Sequence, residues 1–255
     1  MLQEPGTRET RYYAHELKFL VPADTGREIL AWSRARTAAD PHGSGPHGDE
    51  YRTTSVYFDT EPLDVYHRRG SFARSKYRIR RYGQHRVVFL ERKLRTRNVL
   101  TKRRTAVPAE AALAELAARP AHPAWAGHWF RKRVDVRRLR PVCQISYDRA
   151  ARTTMTASGP ARLTIDRHLI VRPVGGVEFQ AATARDIPVV TAHAVVEIKF
   201  VGHPPALFKE LVETFALEPA VMSKYRRSVD ALRHAGAAPE PAGRPAITLP
   251  RIAHA

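Results

Sequence analysis

Polar and apolar residues alternate along much of this chain with a period of two. In "RYYAHELKFLVP", His15, Leu17 and Phe19 fall on one side and Glu16 and Lys18 on the other, the pattern of a β-strand between two different surroundings. "YRTTSVYFDT", "NVLTKRRTAVP", "LRPVCQISYDRAARTT", "ARLTIDRHLIVR" and "HAVVEIKFVG" read as further strands. "SFARSKYRIRRYG" and "QHRVVFLERKLRTR", separated by "YGQH", predict a hairpin. Helical spacing marks "ADTGREILAWSRAR", "AEAALAELAAR", "HPAWAGHWFRKRV", "PALFKELVETFAL" and "SKYRRSVDALRHA", with a short helix in "EPLDVYHRRG". "TAADPHGSGPHGDE" reads as a loop. Residues 1–10 are polar and expected to be loose. Residues 11–235 form one domain, and the Pro/Ala/Gly-rich residues 236–255 form a flexible tail. Strands with helices between them, the strands antiparallel, predict an α+β domain on a large antiparallel sheet or barrel.

The charged strand faces carry more information. Arg74, Lys76, Arg78 and Arg80 alternate with apolar or small residues, so all four would point one way. Neighbours in such a row lie roughly 6–7 Å apart and repel by roughly 2–3 kcal/mol per pair before screening. Glu-x-Lys recurs at Glu16/Lys18, Glu91/Lys93 and Glu197/Lys199, each time beside an apolar face such as Val196, Ile198 and Phe200. A sheet with one solvated side would give the same alternation. If the sheet closes, however, the charged faces line its interior. An interior rich in Arg and Lys with a few Glu suits a water-filled tunnel holding a polyanion and a metal ion.

Composition narrows the classes. The formal net charge of +18 over 255 residues points to an anionic partner. With one cysteine, Cys143, neither an internal disulfide framework nor a cysteine zinc site is available, which fits a reducing, cytoplasmic setting. No signal peptide and no apolar run of about 20 residues is present, so no membrane span is expected. No nucleic-acid recognition motif appears, and carboxylates among the cations argue against a plain nucleic-acid groove. His15, His85 and His168 are scattered, without ligand spacing. The arginine-heavy composition points to a high-GC bacterial source.

In order, "HELKFLV", "YRTTSVYFDT", "YRIRRYG", "FLERK", "VLTKRR", "ISYDRAA", "RLTIDRHL", "VVEIKF" and "MSKYRRSV" resemble the triphosphate tunnel metalloenzymes, and within them the polyphosphate polymerase domain of the vacuolar transporter chaperone (VTC) family. The resemblance spans residues 11 to about 230. It implies an antiparallel β-barrel tunnel with flanking helices. It also implies ATP and polyphosphate as ligands, a divalent metal (Mn2+ or Mg2+), and transfer of the γ-phosphoryl group to a growing chain. Lys18, Arg78, Arg80, Lys93, Lys102 and Arg149 would hold phosphates, with Tyr147 assisting Arg149 and Lys199, Ser223 and Lys224 closing the far side. Arg74 and Lys76 would extend the phosphate row. Glu197 would be the metal ligand, with Glu91 helping directly or through water. Wider-superfamily members that hydrolyse triphosphate or cyclise ATP carry a further Glu on the first strand, where this chain has Ala14, and that favours the polymerase branch. Neither a phosphate-sensing helical domain nor a membrane anchor is recognised, so coupling to transport is not implied, although a membrane partner protein is compatible. Triphosphate hydrolysis and non-catalytic polyphosphate binding are the alternative functions. The oligomeric state is open.

Overall fold

The computed structural model describes residues 7–12, 14–96, 99–118 and 122–237. They form β1 (Thr7–Tyr12), β2 (Ala14–Pro22), α1 (Ala23–Arg34), β3 (Ala38–Ala39), β4 (Glu50–Asp59), α2 (Asp64–His67), β5 (Ser75–Tyr82), β6 (Val87–Thr96), β7 (Val99–Pro108), α3 (Ala109–Ala117), α4 (His128–Val136), β8 (Arg140–Thr156), β9 (Gly159–Pro173), β10 (Ile187–Pro188), β11 (His193–Val201), α5 (Ala206–Thr214) and α6 (Lys224–His234). Three helices start directly after a proline, Pro22, Pro108 and Pro205. A proline ends strand pairing because it has no N–H to donate, and its fixed φ turns the chain. The β5–β6 turn uses Gly83 at φ +51°, a left-handed conformation that costs glycine little.

All strands pair antiparallel in the order β1-β7-β6-β5-β4-β8-β9-β11-β2, with β3 on β8 and β10 on β9. The path begins and ends on the first two strands of the chain, and no pairing among the described residues joins them. Side chains cross the interior instead, as where Lys93 of β6 donates to Glu16 Oε2 of β2 at 3.1 Å. The result is an antiparallel, tunnel-like α+β fold rather than a barrel with a continuous ladder.

Two expectations change. β1 begins at Thr7, inside the stretch expected to be loose, and pairs along its length with β7. The run read as one strand from Arg11 is divided between β1 and β2, which sit at opposite ends of the sheet path. The tail expected from 236 lies, apart from Gly236 and Ala237, outside the described residues, as do residues 1–6.

The outward faces of the strands are the dry ones. Phe19, Ile165, Val196, Ile198 and Phe200 pack with Ile29 and Leu30 of α1 and Phe208 and Leu211 of α5. Val56, Phe58, Tyr77, Ile79, Val88 and Leu90 pack with Ala112 of α3 and Phe130 of α4. Each fully buried side chain of this kind contributes roughly 1.5–3 kcal/mol. Helices therefore cover the apolar face, which leaves the charged face to the interior. α6 closes one side of that interior, where Tyr225, Val229 and Leu232 meet Tyr57, Ile145 and Val195.

Gly26 fixes how closely α1 approaches the sheet, since an added Cβ would meet Ala194 Cβ at 2.7 Å. Gly26→Val should cost roughly 1–3 kcal/mol through overpacking, read as a lower denaturant midpoint. Gly175→Ala, with nothing within 4 Å of its added Cβ, should stay within about 0.5 kcal/mol of wild type.

Candidate active site

Strand register assembles the charged interior. Antiparallel pairing of β2 with β11 sets Lys18 opposite Glu197 and Glu16 opposite Lys199, so two Glu-x-Lys pairs interlock as a square of alternating charge. Lys18 reaches Glu197 at 2.8 Å and also contacts Glu16, while Lys199 lies 3.7 Å from Glu16 and 3.8 Å from Glu197. On the far side, β5, β6 and β7 set Arg78 opposite Glu91 and Glu91 opposite Arg104. Glu91 is 2% exposed and takes three cations: Arg78 Nε at 2.6 Å, Lys102 Nζ at 2.8 Å and Arg104 Nε at 3.4 Å. Arg80 donates to Ser55 Oγ at 3.0 Å and to the Tyr147 hydroxyl at 3.2 Å.

The N-terminus of α6 adds the remaining groups. Ser223 caps the helix by accepting from the Arg226 N–H, and its Oγ also accepts from Lys76 Nζ at 3.0 Å. Lys224 Nζ sits 2.6 Å from both Glu197 and Asp166, above the Tyr147 ring. Arg149 donates from Nε and Nη2 to the two oxygens of Asp166, at 2.6 and 2.7 Å. One buried carboxylate holds α6 in this pose. Asp59 accepts the Tyr225 hydroxyl at 2.6 Å together with the backbone N–H groups of Thr60, Val65 and Tyr66.

The sequence-derived residues thus fall into three contact groups: Lys18, Lys93, Glu197, Lys199 and Lys224, linked through Glu16 and Asp166 to Arg149, Tyr147 and Arg80; Arg78 and Lys102 on Glu91; and Lys76 with Ser223, the residue before Lys224. Arg74 stands apart: it lies in the turn before β5 and is exposed, because the strand starts only at Ser75. Tyr147 orients Arg80 by a hydrogen bond and lies under the Arg149 guanidinium. Asp166, Arg104, Tyr57 and the Asp59–Tyr225 pair were not singled out from the sequence. Asp166 does share a strand face with Arg162 and Thr164, but only the register against β8 sets it opposite Arg149.

The electrostatics follow from burial and pairing. Burial alone would push Glu91 up, yet Arg78, Lys102, Arg80 and Arg104 hold it well below the usual carboxylate range. Glu197 is held well down in the same way by Lys224, Lys18 and Lys199. Burial pulls Lys76 down to about 8, helped by Lys93, Lys18 and Arg78 and opposed by Tyr57. Lys199 also falls to about 8 through burial, against the pull of Glu197 and Glu16. The surplus of positive charge shows in the side chains themselves: Lys18, Lys76, Arg78, Arg80, Lys93, Lys102, Arg104, Arg149, Lys199 and Lys224 share only Glu16, Glu91, Asp166 and Glu197 among these contacts.

Among the described residues, no three His, Cys, Asp or Glu side chains gather as a ready-made cation site. Glu197 and Glu16 do both approach one ammonium, Lys199, so two hard oxygen donors face a common space. That suits Mg2+ or Mn2+, which take one or two carboxylates and complete their shell with substrate phosphate and water. Glu91, wrapped by its three cations, fits the role of counter-ion to Arg78 better than that of metal ligand.

A family model of the VTC domain matches residues 13–233. A candidate adenylate cyclase from Bacillus halodurans has a similar structure, with TM-score 0.53 and 15% identity over 84% of this chain and 95% of that one. A candidate adenylyl cyclase from Hippeastrum, described as having a dominant triphosphatase activity, gives TM-score 0.44 and 14% identity over 89% and 98%. Protein PH1819 from Pyrococcus horikoshii gives 0.43 and 13% over 87% and 99%. No curated protein sequence matches the chain.

Lys76 generates a pH prediction. Its folded pKa of about 8 lies below its ordinary 10.5, so between those values the unfolded chain binds more protons and stability rises with pH. Lys76→Met should be stabilised relative to wild type at pH 7, and that advantage should shrink toward pH 10. A difference in denaturation midpoint that stays constant with pH would contradict the assignment.

Proposed function

This chain belongs to the VTC domain family, and from that premise we propose that it is a polyphosphate polymerase, passing the γ-phosphoryl group of ATP to the end of a growing polyphosphate chain. The observation that carries the reading is the inverted sheet. Its charged face is turned inward, and there the cations outnumber the carboxylates along a path framed by Lys18, Arg78, Arg80, Lys93, Arg149 and Lys199. A linear polyanion is the ligand that neutralises such a path along its length. A compact anion would reach only part of it.

In this reading Arg78, Arg80 and Lys93 hold the β- and γ-phosphates, Lys18 and Lys199 face them from β2 and β11, and Arg149 and Lys224 complete the wall. Arg presents paired N–H groups to phosphate oxygens, and Lys adds mobile point charge. Glu197, with Glu16 beside it, would hold a divalent ion, which when bound supplies charge neutralisation at phosphate oxygens. The terminal phosphate oxygen of the acceptor chain attacks the γ-phosphorus, a new P–O–P bond forms, and the bond to the β-phosphate oxygen breaks to release ADP. The acceptor phosphate is already ionised near neutral pH, so no general base is required. Alignment and charge stabilisation provide the acceleration. Location in the cytoplasm is part of the same proposal; among the described residues no helix is long and apolar enough to cross a membrane.

Incubation with ATP and Mn2+, followed by gel electrophoresis stained for polyphosphate, tests the reading. Wild type should give a metal-dependent ladder of long chains. Arg78→Ala should lower the rate by about 100-fold or more, as when one charged clamp on a transition state is removed. Glu197→Ala should abolish the ladder. Orthophosphate alone would replace the polymerase with a triphosphatase, and tight polyphosphate binding without turnover would leave a receptor.

A further inference from the structure

The two ends of the β5–β6 hairpin differ. At its turn end, the Tyr82 ring packs 5.4 Å from Tyr51 and 5.5 Å from Phe89. Arg104 there is already committed, stacked on Phe89 and paired with Glu91. At the open end the ladder sets Lys76 opposite Lys93, and the Arg95 N–H donates to the Arg74 carbonyl at 2.9 Å. Arg74 and Arg95 are therefore the next rung outward. Arg95 shares the strand parity of Lys93, about 6–7 Å further along β6, and that backbone hydrogen bond sets Arg74, in the turn before β5, across from it.

Their surroundings are unlike those of the inner rungs. Arg78 is neutralised by Glu91 and Lys93 by Glu16, and Lys76 has the Ser223 hydroxyl. Arg74 and Arg95 are both exposed, and among the described residues neither side chain has an ion-pair or hydrogen-bond partner. Two adjacent unneutralised guanidinium groups thus continue the cationic interior onto the surface at one mouth. Among the described residues no carboxylate pairs with either of them.

We propose that Arg74 and Arg95 form an external subsite for the part of a phosphate chain that extends beyond the tunnel, so that the polymer passes through the open end of the β5–β6 hairpin and not past Tyr82. This rests on the reading of the interior as a phosphate tunnel. It adds a direction and a preference for length. A triphosphate held among the inner cations does not reach this rung, whereas a long chain does.

Titration calorimetry with inorganic tripolyphosphate and with long-chain polyphosphate tests it on the full chain. Arg95→Glu should weaken long-chain binding by about five- to tenfold at low salt and leave tripolyphosphate within about twofold. Arg74→Glu should weaken the long chain to the same degree. The control is Arg86→Glu, an exposed residue at the turn end of the same hairpin with the same change in net charge; it should leave both ligands nearly unchanged. Equal losses in Arg86→Glu and Arg95→Glu would reduce the effect to net charge and overturn the subsite. So would an equal loss of tripolyphosphate and long chain in Arg95→Glu, or no loss at all. If wild type binds tripolyphosphate but holds long chains no tighter, the subsite falls and the tunnel stands. If wild type binds neither, the tunnel reading falls and takes the subsite with it.

Discussion

Glu91 is a carboxylate almost wholly withdrawn from water, and it survives there because three cations close on it. Removing one partner from such a buried cluster typically costs about 3–5 kcal/mol, because the others are left charged and uncompensated. Charge in the interior therefore cannot be trimmed piecemeal. The same constraint recurs at Asp166 between Arg149 and Lys224, and at Glu197 between Lys18 and Lys224. Each carboxylate fixes the directions of the cations around it, so the cationic path is preorganised before any ligand arrives. The helices matter to the site for this reason: by sealing the apolar faces, they force the charged faces to look inward.

The pairing is deliberately incomplete in its effect. The interior cations outnumber Glu16, Glu91, Asp166 and Glu197, which leaves positive charge in excess, and burial makes Lys76 and Lys199 easier to deprotonate than ordinary lysines. A polyanion laid along the interior would relieve that excess without having to break the frame built by Glu91 and Asp166. It would compete instead with the looser contacts, such as those of Lys199 at 3.7 and 3.8 Å. Tight carboxylate clamps beside loose lysines form an arrangement in which rigidity and ligand exchange are assigned to different residues.

Much of this was legible in the alternation. The two-residue period gave the strands, and the recurrence of Glu16/Lys18, Glu91/Lys93 and Glu197/Lys199 marked the charged faces as more than a wet surface. The interlocking of two of these pairs depends on antiparallel register, which spacing within one strand does not encode. Asp166 escaped notice because its partner, Arg149, lies on another strand and its other partner, Lys224, arrives from a helix. Arg74 looked like the first of the row because the alternation extends past the start of β5. β1 was missed because Thr7–Arg11 are all polar and carry no alternation, so its strand shows only in the pairing with β7. What local pattern encodes was visible; what arises from strand order and helix insertion was not.

The most direct test of the central claim is the stability of the protein against denaturant with increasing inorganic tripolyphosphate, beside sodium sulfate at matched ionic strength. If the enclosed charged face is a receptor for a linear polyanion, tripolyphosphate should raise the unfolding free energy by mass action, by about 2.7 kcal/mol at a hundred times its dissociation constant. Sulfate should give much less, and Arg78→Ala should blunt the gain. Equal stabilisation by sulfate, or none by tripolyphosphate, would mean that the interior is held together by its own ion pairs and receives no such ligand.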